Sequence, residues 1–368
     1  MKRTATLAAL FILLTASQIF AQPKMPRAYR DTVATNFFKR TSGMIAGDGG
    51  YSVALADGRS LWLMGDSHID DYDPATGSIP CIFQVNNSAV LQAANSWKQE
   101  DTKTLTSNGP GRKSFFKSSD DDKDFYWPGA GIQVKDTVYV YCSGVKIIGS
   151  GVMGFAPTGK HVLAKLKFPE MTVKGYITLN IPDKMGYGSA FIKDGKYIYV
   201  YGHKHSFGIS DIYVARFPVS NFYARWDYWD GKSWQKDPLK SAVIGSTNGG
   251  TPMVTKLKNK IVLVGSELSV DCDQGTKIYA ATSTNFTGPF SEKRVIHTID
   301  DRKDGHSPFF YLPAIHSQFS TADKDVLLTY SINGYGKCAE WCINGRANPN
   351  DYQLQAVRVP LKLIDPAL

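Results

Sequence analysis

The 368-residue chain lacks the local signatures of several large enzyme classes. It has no Gly-rich phosphate loop, no Gly-x-Ser-x-Gly elbow and no His-Glu-x-x-His motif, which argues against nucleotide, esterase and zinc-protease chemistry. The Ser-x-Asp-x-Gly-x-x-Trp box that sialidase propellers repeat is also missing. Lys and Arg outnumber Asp and Glu by 42 to 33, for a formal charge of +9, yet no dense basic block occurs. Nucleic acid is therefore not expected as a partner, whereas a general affinity for anionic surfaces or glycans fits the balance. Helical periodicity is almost absent beyond the N-terminus. No segment approaches the roughly 20 apolar residues that a membrane span requires.

The first residues read as an export signal. Lys2 and Arg3 form a basic end, Ala5 to Ala16 an apolar stretch, and Ile19-Phe20-Ala21 a cleavage site before Gln22. The expected organisation is a signal peptide over 1–21 and one domain over 22–368, periplasmic or extracellular. Five cysteines follow: Cys81, Cys142, Cys272, Cys338 and Cys342. Export permits disulfides, and an odd count leaves at least one thiol free. Cys338 and Cys342 lie in a loop-like stretch that suits a short-loop disulfide. A metal site is the alternative, weakened by the lack of a second close Cys or His pair. Cys142, inside Val138-Tyr139-Val140-Tyr141-Cys142, reads as a buried small hydrophobe.

What the chain does contain is a repeat. Glycines (33) and aromatics (12%) suit strands joined by tight turns. A Gly- or Pro-marked strand, a turn and a second apolar strand recur five times, starting near Gly49, Trp127, Gly186, Gly249 and Pro313. Asp57-Gly58 and Asp194-Gly195, each between two apolar runs, are strong hairpin signals. Third strands are expected at Ser88–Gln92, His161–Leu166, Asp211–Arg216, Lys277–Ala281 and Gln353–Val357. This pattern predicts an all-β, five-bladed β-propeller, with a β-sandwich as the alternative. The polar stretch 108–124 reads as a loop between the first two blades, its acidic run as solvated or, alternatively, as calcium-binding.

In a propeller the innermost strands converge on a channel, so polar groups at their starts can meet. Asp48 and Asp66 flank one hairpin, which brings both to the same edge. Two carboxylates there can divide acid and base duties, as glycoside cleavage requires. The plainer roles are turn support for Asp48 and strand capping for Asp66. Glu267 occupies the place in the fourth copy that matches Asp66, and reads as a channel acid or an exposed loop carboxylate. His203 and His205, alternate residues on an extended chain, point the same way. Tyr51, Trp127 and Tyr187 stand near strand starts, where they would face sugar rings or pack in the core, and His316 would hydrogen-bond a substrate or a channel neighbour rather than act as a base.

The stretch Gly47-Asp48-Gly49-Gly50-Tyr51-Ser52-Val53 with Leu61-Trp62-Leu63-Met64-Gly65-Asp66-Ser67 resembles the opening of a bacterial family of exported five-bladed propellers of unknown function. The resemblance continues through Asn87-Ser88-Ala89, Trp127-Pro128-Gly129-Ala130-Gly131, Tyr187-Gly188-Ser189-Ala190 and Ser331-Ile332-Asn333. That family is related to endo-D-arabinanase-type glycoside hydrolases. The resemblance implies a glycoside hydrolase acting on an arabinan-like or other furanose-containing polysaccharide, with Asp48 and Asp66 as catalytic carboxylates. Tyr51, Trp127, Tyr187, His203, His316 and Asn333 would shape the sugar subsites, without cofactor or metal, in a monomer. A non-catalytic glycan-binding propeller is the alternative, and a structural propeller a third reading.

Overall fold

A computed structural model describes residues 26–107, 114–118, 124–149, 154–182, 185–206, 208–321, 324–336 and 342–368. Residues 1–21, most of the acidic loop and Cys338 lie outside the described residues. Five antiparallel sheets follow one another along the chain as the blades of a propeller. The first blade runs outward through Met44–Ala54, Ser60–Ile69, Ser88–Gln92 and Thr102–Leu105. The second uses Asp124–Val134, Thr137–Ile147, Phe155–Lys167 and Thr172–Leu179. The third has Gly186–Asp194, Tyr197–Ser206 and Ile209–Pro218, flanked by the short strands Asp227–Trp229 and Gly245–Asn248. Met253–Leu257, Lys260–Ser266, Lys277–Ser283 and Arg294–Thr298 form the fourth.

The fifth blade is completed by the other end of the chain. Its strands Pro308–Thr321, Asp325–Tyr335 and Tyr352–Pro360 are extended by Tyr29–Arg30, which pairs with Val357 and Arg358. Arg358 fastens this closure by donating from Nε to Asp31 at 2.6 Å. Asp31 also caps the helix Thr32–Phe38 by accepting from the Ala34 amide, and Phe37 and Phe38 then pack on the buried Trp62. The ring is thus sealed between its last and first blades by residues far apart in sequence.

Each of the five expected third strands lies within an observed one, and the hairpin turns fall where the Gly and Asp signals put them. Two expectations need correction. The innermost strand of the fifth blade starts at Pro308, not near Pro313, because Pro313 lies in an irregular stretch between Tyr311 and Ala314. Cys342 pairs with Cys81, 261 positions away, rather than with Cys338. Local spacing could not reveal that partner, since the ring brings the first and fifth blades together only on closure. Cys272 is also disulfide-bonded, and Cys142 is a buried free thiol, as its apolar context suggested.

Candidate active site

Asp48 sits in a β-bulge. Gly47 pairs with Ser67 and Gly49 with Met64, so Asp48 alone opposes Gly65 and Asp66. Such a two-against-one arrangement re-aims side chains. Gly49 and Gly50 continue the bend at φ of +93° and +82°, a region that disfavours side chains. Gly65 leaves the room the carboxylate needs, because a Cβ there would lie 2.2 Å from Asp48 Oδ1. The bulge places both aspartates, half-buried, at the same end of the inner hairpin.

The donors around this pair come from four segments and all are neutral. Tyr311, near the start of the fifth blade's innermost strand, donates its hydroxyl to Asp48 Oδ2 at 2.8 Å. Asn333 Nδ2 in turn donates to the Tyr311 oxygen at 3.4 Å. The Tyr352 hydroxyl reaches the Asp66 carbonyl oxygen at 3.2 Å and also hydrogen-bonds the Asp48 carboxylate. Asp66 Oδ1 accepts from the Trp127 indole at 3.2 Å and from Asn86 Nδ2 at 3.3 Å.

This arrangement favours the protonated forms. Burial pushes the Asp48 carboxyl up to about 6, against the opposing pull of the Tyr311 and Tyr352 hydrogen bonds. Asp66 rises further, to about 8, through burial and then the charge of Asp48, opposed only by Trp127 and Asn86. The two groups titrate as a pair, one holding a proton near neutrality while the other is ionised. A proton donor and a proton acceptor on one face is the equipment of acid–base chemistry.

Tyr352 is itself held from behind. It packs with Ile45, Ala46, Ile79 and Ala347, and its ring meets His68 edge-on at 6.3 Å. His68 is fully buried, with Nδ1 at 2.7 Å from Asp71 Oδ2. Gln84 braces the same Asp71 oxygen. Ile79–Pro80 and Arg346–Ala347 form a two-stranded ribbon, and the adjacent Cys81–Cys342 disulfide ties it shut. Asn87 clamps the other side: it donates to the Phe116 and Tyr126 carbonyls and accepts from the Phe116 amide, all within 3.0 Å. Tyr126 directly precedes Trp127, so this buried clamp helps to aim the indole.

Of the residues singled out in the sequence, Asp48, Asp66, Trp127 and Asn333 are brought together. The others are not. Tyr51 lies in the core between blades, and Tyr187 is wholly buried against Trp226 and Tyr228. His316 is 1% exposed, with Nδ1 at 2.6 Å from Ser52 and Nε2 at 2.8 Å from Thr329. It lies five residues beyond Tyr311, deep in the seam between the fifth and first blades, so no nitrogen is left for a substrate. His203 is half-buried in the third blade, 3.2 Å from Ser189, and burial followed by His205 pushes it down to about 4. His205 contacts Ser210 instead. Glu267 is a loop organiser: it accepts from the Thr276 and Lys277 amides and from the Tyr279 hydroxyl. Tyr311, Tyr352 and Asn86 are the site residues that sequence reasoning passed over. Tyr311 was findable as the fifth-blade counterpart of Asp48, had that strand been started at Pro308.

Residues 31–359 match the family described as a domain of unknown function (DUF5005). The chain belongs to that family. No curated protein sequence is detectably similar to it. Among solved structures, a candidate hydrolase from Bacteroides ovatus shares the fold, with a TM-score of 0.70, 19% identity and 90% of each chain covered. The endo-arabinase of Bacteroides thetaiotaomicron aligns at a TM-score of 0.48 and 12% identity, over 87% of this chain and 97% of that one. An exo-1,5-α-L-arabinanase from a bovine ruminal metagenomic library aligns at 0.45 and 12% identity, over 86% and 94%. At such identities the likeness speaks to the fold, and function has to be argued from the site.

Proposed function

We propose that this DUF5005 propeller is an exported glycoside hydrolase that cleaves an arabinan-like or other furanose-containing polysaccharide through Asp48 and Asp66. The observation that carries this reading is the pair itself: two half-buried carboxylates on one hairpin, both pushed upward, Asp66 the more so. Asp66 retains the proton and gives it to the leaving glycosidic oxygen as the C–O bond breaks. Asp48, ionised and steadied by Tyr311 and Tyr352, takes a proton from the water that bonds to the anomeric carbon. Trp127, half-buried beside Asp66, has a flat face suited to a sugar ring, and Asn333 and Asn86 offer amides for hydroxyls. A purely lectin-like propeller would have no need of a pair so placed.

Export agrees with the disulfides, since bonds such as Cys81–Cys342 persist in oxidising compartments. A leader cut before Gln22 and a monomeric ring complete the proposal, because radial packing of the blades turns their innermost strand edges towards the channel. The test is a reducing-end assay of the chain from Gln22 on D-arabinan, L-arabinan, arabinogalactan, xylan and fructan. Product from a furanose-containing glycan, lost in folded Asp48→Asn and Asp66→Asn proteins, is expected. Turnover that survives both substitutions would refute the assignment.

A further inference from the structure

Tyr352 serves both aspartates. Its hydroxyl hydrogen-bonds the Asp48 carboxylate and lies 3.2 Å from the Asp66 carbonyl oxygen. The rotation of its ring therefore decides whether these contacts are kept, because a hydrogen bond weakens steeply as its angle closes. Most of the surface around the ring is aliphatic. Ile45, Ala46, Ile79 and Ala347 limit the space it occupies, but smooth side chains of this kind do little to fix its rotation. His68 differs, because it meets the Tyr352 ring edge-on, with centroids 6.3 Å apart and planes at 86°. Edge-to-face ring contacts have a preferred direction.

His68 is in turn pinned by a local unit at the end of the first blade's second strand. Asp70 turns the chain at a φ of +48°, and Asp71 comes back over His68, with Oδ2 2.7 Å from Nδ1. Gln84 clamps the turn, accepting from the Ile69 amide at 2.8 Å and donating to the same Asp71 oxygen. The polar choice has a cost. His68 Nε2 and Asp71 Oδ1 are both buried without a hydrogen-bond partner among the described residues. Packing alone does not explain such a pair, since apolar residues of similar volume often leave a fold as stable or more so. What the anchored imidazole supplies, and an aliphatic side chain would not, is a ring held in one orientation behind Tyr352.

We propose that His68, anchored by Asp71 and Gln84, is a positioning residue of the aspartate pair: it holds the Tyr352 ring in the rotation that keeps its hydroxyl on Asp48. The catalytic meaning of this role rests on the hydrolase reading above, in which Asp48 is the base. The experiment is carbon-13 titration of the Asp48 carboxyl in the folded chain from Gln22, which needs no turnover. It compares the wild type, His68→Leu, Tyr352→Phe and the double variant. In the wild type the Tyr352 bond pulls this group down against burial. His68→Leu should raise its pKa by about 0.5–1 pH unit, and Tyr352→Phe by at least as much. Adding His68→Leu to Tyr352→Phe should move it no further, because the hydroxyl through which His68 acts is already gone. Gln84→Met, a neutral exchange that leaves His68 in place, should shift it in the same direction by less. An Asp48 titration left unmoved in His68→Leu, or in Gln84→Met where His68→Leu does not fold, overturns this role. A shift of equal size with and without the Tyr352 hydroxyl also overturns it, since His68 would then act as a charge or a general support. The expected shifts without hydrolysis of any glycan would instead count against the catalytic reading alone.

Discussion

Tyr311 donates its hydroxyl to Asp48 across 263 positions of chain, at 2.8 Å. This bond joins the innermost strands of the fifth and first blades, so the charge state of the candidate base depends on ring closure. The bond favours ionised Asp48, in opposition to burial. Tyr311→Phe removes a donor to the charged form and moves the Asp48 pKa further up. The acid limb of the pH–rate profile should shift upward by about one pH unit, with activity near pH 5 falling more than activity near pH 8. An unmoved acid limb would separate Asp48 from the base role.

The same burial should make the pair costly to the fold. A carboxyl whose pKa is higher folded than unfolded stabilises fully below its unfolded value, near 4, and that contribution is lost as pH rises through the folded value. For Asp66 the loss is completed above about 8. Asp66→Asn should therefore melt at a higher temperature than the wild type at pH 9, and the gap should close towards pH 4. Thermal melts at the two pH values decide this, and a variant less stable at pH 9 would contradict it.

Cys81→Ser with Cys342→Ser unties the ribbon that packs against Tyr352. Removing a native disulfide typically costs about 2–5 kcal/mol. Loss of stability alone would leave the pH profile of the surviving folded protein unchanged. Because Tyr352 also hydrogen-bonds Asp48, the prediction is a shifted acid limb at a temperature where the variant is fully folded.

His316→Ala should act on stability alone. Both of its ring nitrogens are engaged within the seam and its ring lies 4.8 Å from that of Trp62. Truncation should cost about 2–4 kcal/mol in denaturant unfolding. KM for the glycan substrate should stay within about twofold, since the side chain lies away from the pair. A large rise in KM with little loss of stability would return His316 to the binding surface.

The blades were legible because their signals are local: Asp57-Gly58 and Asp194-Gly195 mark turns whose strands adjoin in sequence. That Asp48 and Asp66 meet was legible for the same reason, since they are the two ends of one hairpin. Tyr311 and Tyr352 were not, because they reach Asp48 only when the ring closes, and the irregular backbone around Pro313 disguised where the fifth blade's innermost strand starts. Tyr51, Tyr187 and His316 misled in the opposite direction. A residue near a strand start can face the channel or turn between blades, and alternation along a bulged strand does not tell which. The partner of Cys342 was hidden in the same way, since its nearest cysteine in sequence is not its neighbour across the closing seam.

The mechanism requires that Asp48 and Asp66 together hold a proton at neutral pH. Carbon-13 NMR titration of aspartate carboxyls in the folded protein, assigned with Asp48→Asn and Asp66→Asn, tests it most directly. Two coupled steps are expected, one near 6 and the other near 8; in Asp48→Asn the Asp66 step moves towards lower pH because the neighbouring charge is gone, whereas in Asp66→Asn the Asp48 step stays raised by burial. Two independent titrations in the ordinary carboxylate range, near 4, would contradict it and leave the pair without a proton to give.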